Sequence, residues 1–291
     1  MSENYQTPEQ PRLTTIGRAL DPDYPTNRLI LILTAVGAAA GLGWGLFAGW
    51  TVIVAGLMGA RSGLTLFLSW ALTREMDPDR EWAAFAAVGF TGMGLLILGV
   101  PDLTVVFWAL LLLRVVNHTT GLSATLLDTL GLVGLGAWLS WQGNWGLGFV
   151  TALSLWADAY LQDGKRRQAV LGGVSLLTAG AAYFLGGRPA PLPGFAWGPA
   201  ALAGGLAALY GPVIAAAREV ESSCDQTGKG MLPRRIQAGQ LFGLLIGLEL
   251  ALWYGRQGIA AVLPLWGAAA GSLAFWFGLV VFESRGQRRG P

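Results

Sequence analysis

From residue 27 to residue 284 the chain alternates long apolar blocks with short polar interruptions, and within each block the apolar side chains run all the way round rather than along one stripe. Helices that are apolar on every side belong inside a large core or inside a bilayer. A hydrocarbon core about 30 Å thick needs about 20 apolar residues of helix to cross it, and the sequence supplies blocks of that order again and again. The pattern predicts ten helices with limits near 28–44, 47–73, 82–100, 103–117, 120–141, 145–162, 168–186, 198–217, 237–255 and 259–283. Gly211-Pro212 should kink the eighth, because proline has no N–H to give to the helical ladder. The expected fold is an all-α, polytopic membrane bundle in one domain over 27–284. It is flanked by a polar, disordered tail over 1–26 and a basic tail over 285–291.

Composition agrees with the pattern and adds a direction. Hydrophobic residues make up 53 % of the 291 and charged residues only 12 %, which excludes an ordinary soluble globule. The basic residues are not spread evenly. All but Arg61, Arg188 and Arg256 of the 19 fall in the two tails, in the connections after helices 2, 4, 6 and 8, or at the helix ends beside them. By the positive-inside rule those segments are cytoplasmic, so both termini are cytoplasmic and the helix count is even. Trp44, Trp138, Trp141, Trp145, Trp197 and Trp253 fall near predicted outer ends and Trp70, Trp82, Trp156 and Tyr160 near inner ones, as interfacial belts require.

Glycine-rich faces are the expected contact surfaces between helices, because lipid gives apolar helices no hydrophobic reason to associate. Gly37, Gly41, Gly45 and Gly49 lie four apart, and Gly267 and Gly271 repeat the spacing. Packing inside the bundle is the expected use of both stripes, with a homodimer seam as the alternative. A single cysteine, Cys224, excludes an internal disulfide, and with one histidine it cannot complete a usual zinc site.

Polar groups inside the blocks are scarce and costly, so each needs a partner or water. Arg61, Asp128 and Glu249 fall near mid-depth of predicted helices 2, 5 and 9, and Arg61 is expected to be buried and paired with one of the two acids. Arg114, Asn117 and His118 at the end of helix 4, with Asp158 at the end of helix 6, form an expected cytoplasmic mouth. Thr119 and Thr120 are placed to cap helix 5. The loop over 218–235 reads as a surface segment beside anionic headgroups.

A further cytoplasmic constellation is acidic. Asp77 and Asp79 follow helix 2, and Asp158 and Asp163 follow helix 6; four such carboxylates could hold Mg²⁺ if they converge. The placement resembles the UbiA-type intramembrane prenyltransferases, whose aspartate-rich motifs follow helices 2 and 6. That family's first motif, an Asn-Asp with regularly spaced aspartates, is absent here, and no residue role is carried over. The resemblance implies an enzyme acting on a prenylated or phosphorylated lipid. Against it stand a carrier of a small solute or lipid, which the charged mid-depth groups favour, and a non-catalytic assembly protein. The bilayer is the partner all three share, and nothing in the pattern calls for nucleic acid.

Overall fold

A computed structural model describes residues 13–18, 20–161, 163–186 and 195–287, with side chains to residue 279. The first twelve residues, Arg188 and the last four residues of the basic tail lie outside this range. The described residues are helical: α1 Pro25–Phe47, α2 Val52–Met76, α3 Glu81–Leu98, α4 Leu103–Asn117, α5 Leu126–Trp141, α6 Trp145–Tyr160, α7 Arg166–Leu185, α8 Trp197–Leu209, α9 Gly211–Ala216, α10 Pro233–Tyr254, α11 Arg256–Ala261 and α12 Leu263–Gln287. Six segments are long and apolar enough to cross a membrane: α1, α2, α3, α7, the α8–α9 pair and α10.

Two prolines turn the ten expected helices into twelve elements. Pro212 breaks the eighth into α8 and α9 where its missing N–H was expected to act, and Pro264 divides the last expected helix into α11 and α12. The start of α5 also moves. It begins at Leu126, not at 120, because Gly121 adopts φ 83° and the chain stays non-helical from His118 to Thr125. The cap is consequently Thr125, whose hydroxyl accepts from the Asp128 N–H while the Asp128 carboxylate accepts from the Thr125 N–H, and not Thr119 or Thr120.

At the centre stands α4. Its side chains from Val105 to Asn117 are almost all buried, and Trp108 donates its indole N–H to the Thr151 hydroxyl on α6 at 3.1 Å. Around α4 pack α2, α5, α6, α10 and α11. By contrast α1 buries only Ile30 and Gly45, so it is an outer helix held by one face. That face is the glycine stripe: Gly37, Gly41 and Gly45 sit against Gly63, Gly59 and Ala55 of α2, whereas Gly49 lies in the following turn at φ 81°. Gly267 and Gly271 of α12 rest on α3 near Thr91 and Ala87, and near Ala87 and Ala83, so the two helices run antiparallel.

The bundle has two distinct ends. At one, which we call the basic end, the N-terminal segment meets the last turns of α2, α4 and α6 and the first turns of α3, α5, α7 and α10. The ties there include Tyr24 to Glu81, Arg167 to the Ala124 carbonyl and Arg235 to Asp158. At the opposite end Arg256 donates to the Ile97 carbonyl, Tyr254 to the Gly143 carbonyl, and the Trp145 ring packs edge-on against Trp253 and Tyr183.

Candidate functional site

The last turn of α2 carries Glu75, fully buried although polar. Buried carboxylates persist only when other groups replace their water, and the protein supplies several. Arg114 on α4 donates Nε to Oε1 at 3.2 Å, Arg18 from the N-terminal segment lies 3.4 Å from the same oxygen, and the Thr119 hydroxyl is also at 3.4 Å. The Asn117 amide donates to the Glu75 backbone carbonyl at 2.8 Å and reaches the carboxylate at 3.5 Å. Asn117 in turn lies against Gly239 of α10, where any Cβ would collide with its amide.

A second buried carboxylate sits one helix away. Asp158, at the end of α6, lies 2.7 Å from the fully buried Arg235 guanidinium, which also donates to the Val116 carbonyl at 2.7 Å. His118 Nε2 is 2.9 Å from the same Asp158 oxygen but poorly aligned for a hydrogen bond. His118 can reach it because it takes the left-handed conformation, φ 53°, that ends α4. Arg114, Asn117, His118 and Asp158 thus do gather around the end of α4. Glu75, which joins two of them, was not singled out from the sequence because helix 2 was ended at residue 73. One further turn of α2 carries Glu75 inward among Leu72, Thr73 and Met76.

The expected mid-depth centre does not form. Arg61 is exposed on α2, and its guanidinium donates to the Pro101 carbonyl at 2.9 Å rather than to an acid. Pro101 stands in the corner between α3 and α4, so it is this corner that meets Arg61. Asp128 is in the first turn of α5 at the basic end, where it accepts from Thr14, Thr15 and Thr125. Those bonds dock residues 13–18, expected as part of a disordered tail, onto the bundle. Glu249 of α10 faces Gly146 near the opposite end, with both carboxyl oxygens buried and unpartnered among the described residues.

The four expected metal ligands also stay apart in function. Asp77 pairs with Arg80 at 3.0 Å, and burial pushes its carboxyl up to about 6. Asp79 accepts from the backbone N–H groups of Glu221 and Ser222, Asp158 is held by Arg235, and Asp163 is exposed. Among the described residues no three His, Cys, Asp or Glu side chains form a group that could hold a metal ion. The loop over 218–235, expected at the surface, is docked: the Asp225 and Gln226 N–H groups donate to the Thr119 and Thr120 carbonyls, and the thiol of buried Cys224 is held above its usual range by desolvation.

A cavity of about 520 Å³ opens beside Arg18 and Arg114, the two arginines that hold Glu75. Phe67, Trp70 and Ala71 of α2 form an apolar wall, Leu20, Asp21 and Tyr24 of the N-terminal segment cover it, and Arg18, Arg74, Arg114, Glu81 and Asp225 make the polar rim. Trp70 adds a buried indole N–H that has no partner among the described residues. The rim charges are paired within the cavity: Arg18 with Asp225 and Arg74 with Glu81 at 3.5 Å.

No family model matches the chain, and no curated protein or solved structure is significantly similar to it. What the site can do chemically follows from its own side chains. It offers ion pairs next to an aromatic wall, the composition of a binding cavity.

Proposed function

We propose that the protein is a multi-pass carrier of a small amphiphile, loaded at the cytoplasmic face through the cavity beside Arg18 and Arg114. The observation that carries this reading is the cavity's division into a charged rim and the Phe67–Trp70–Ala71 wall. A wall of that kind suits an acyl or other apolar chain. The rim suits a head bearing both charges, because such a head can insert between Arg18 and Asp225, or Arg74 and Glu81, giving each partner a new counter-charge. A purely anionic head would have to displace a carboxylate from its arginine, giving up one ion pair for the one it gains.

The same reading takes ten crossings with both termini cytoplasmic, counting the α8–α9 and α11–α12 pairs once each. Its support is that the basic connections and the N-terminal segment share one end, and that α12 runs antiparallel to α3, toward that end. The short α4, α5 and α6 are acceptable as crossings because they stand among longer helices that define the bilayer's thickness around them.

Leaflet exchange tests the carrier. In proteoliposomes, fluorescent phosphatidylethanolamine should equilibrate between leaflets faster than in empty vesicles, and Trp70→Ala should slow it at least tenfold while the protein remains folded. Equal rates with and without the protein would remove this reading.

A further inference from the structure

A second cavity at the basic end, of about 540 Å³, lies between the end of α6, the end of α9 and the start of α10. It is not the cavity assigned above to the amphiphile, and the charged residues described in its lining are all arginines. Arg218, Arg234 and Arg235 line it and no carboxylate among the described residues does, while Leu161, Leu232 and Pro233 supply the apolar surface. Two of the arginines are uncommitted. Arg218 and Arg234 are exposed, and neither makes an ion pair or a side-chain hydrogen bond with the described residues. Arg235 is fixed instead by Asp158 and the Val116 carbonyl, so the guanidinium at the inner wall is already oriented.

The backbone adds to the same field. The 22-residue α10 starts at this cavity, its N-cap Leu232 gives no side-chain acceptor, and the positive end of the helix dipole therefore points toward the arginines. Two guanidiniums that line one cavity without a counter-charge among the described residues favour an anion between them. Guanidinium forks match the oxygens of phosphate in pairs, which a chloride cannot do.

We infer that this cavity is a binding site for a phosphate group, carried either by a lipid headgroup or by a small soluble anion, with Arg218 and Arg234 as its closing contacts and Arg235 as its fixed floor. The site is independent of the carrier reading, since none of the residues around the first cavity takes part.

The test uses the full chain in neutral detergent and in nanodiscs, with Arg218→Gln/Arg234→Gln as the variant. Both positions are exposed, so the fold should survive, and an unchanged unfolding midpoint without phosphate checks that it does. If the ligand is soluble, inorganic phosphate should raise the wild-type midpoint above that in chloride of equal ionic strength, and the variant should need at least tenfold more phosphate for the same rise. If it is a headgroup, inorganic phosphate will have no effect. Native mass spectrometry should then show phosphatidylglycerol retained over diglyceride in the wild type and at least tenfold less in the variant. The proposal is overturned if neither probe is preferred, or if the variant binds both as the wild type does.

Discussion

Arg61 and Glu75 stand on the same helix and have opposite fates. Arg61 was conspicuous in the sequence because a cation inside an apolar block demands an acceptor, and the acceptors visible in a sequence are carboxylates. Backbone carbonyls are not visible there, and the carbonyl of Pro101 is what the α3–α4 corner brings within reach. Glu75 was hidden by its company in the charged run from Thr73 to Glu81. Its burial depends on where α2 ends, one turn later than the apolar pattern marked. Asp128 was misplaced for the mirror reason: once α5 starts at Leu126, it is a first-turn cap. The consequences for stability differ accordingly. Glu75→Gln leaves Arg18 and Arg114 without their shared counter-charge and should destabilise the protein by about 3 kcal/mol, as loss of one partner of a buried pair does. Arg61→Met gives up one hydrogen bond at the helix surface and should cost only about 1 kcal/mol. Thermal unfolding of the two variants in one detergent checks the order, and a larger loss for Arg61→Met would contradict it.

At the scale of elements, the helices were legible wherever apolar blocks were long, and so was the break at Pro212, whereas the break at Pro264 was not anticipated because the apolar run continues through it. What the pattern could not show was which face of each helix met which neighbour. Spacing marked Gly37, Gly41 and Gly45 as a contact face, but only the fold pairs it with Gly59 and Gly63. There the approach is so close that a Cβ on Gly59 would lie 2.5 Å from the Ala38 carbonyl oxygen, while one on Gly56 would meet nothing within 4 Å. Gly59→Ala should therefore cost about 2 kcal/mol through forced separation of α1 and α2. Gly56→Ala, four residues from the helix start, should be neutral. Equal unfolding midpoints for the two variants would show that α1 does not pack on α2 as described.

For the whole molecule, the uneven spread of arginine and lysine anticipated a bundle with one basic end, and the polar networks of the structure gather by the same division. The two signals are physically separate: one reflects charge placement during insertion, the other hydrogen bonds made after folding. Sided thiol labelling joins them. In a Cys224→Ala background, a cysteine at Lys229 should react only from the cytoplasmic side and one at Gly143 only from the other, and the reverse pattern would invert the topology. What the sequence could not anticipate is the cavity beside Arg18 and Arg114. Its walls come from α2, α4, the N-terminal segment and the loop at Asp225, stretches up to 207 residues apart that no local pattern links.

The occupant of that cavity decides whether the protein handles an amphiphile at all. Phosphatidylethanolamine carrying a photoreactive group high in its acyl chain should, after illumination in nanodiscs, leave adducts concentrated on Phe67, Trp70 and Tyr24. Excess unlabelled phosphatidylethanolamine should compete them away. Adducts spread along the lipid-facing side of α1, unchanged by competition or by Trp70→Ala, would show that the cavity takes no such ligand and would contradict the account.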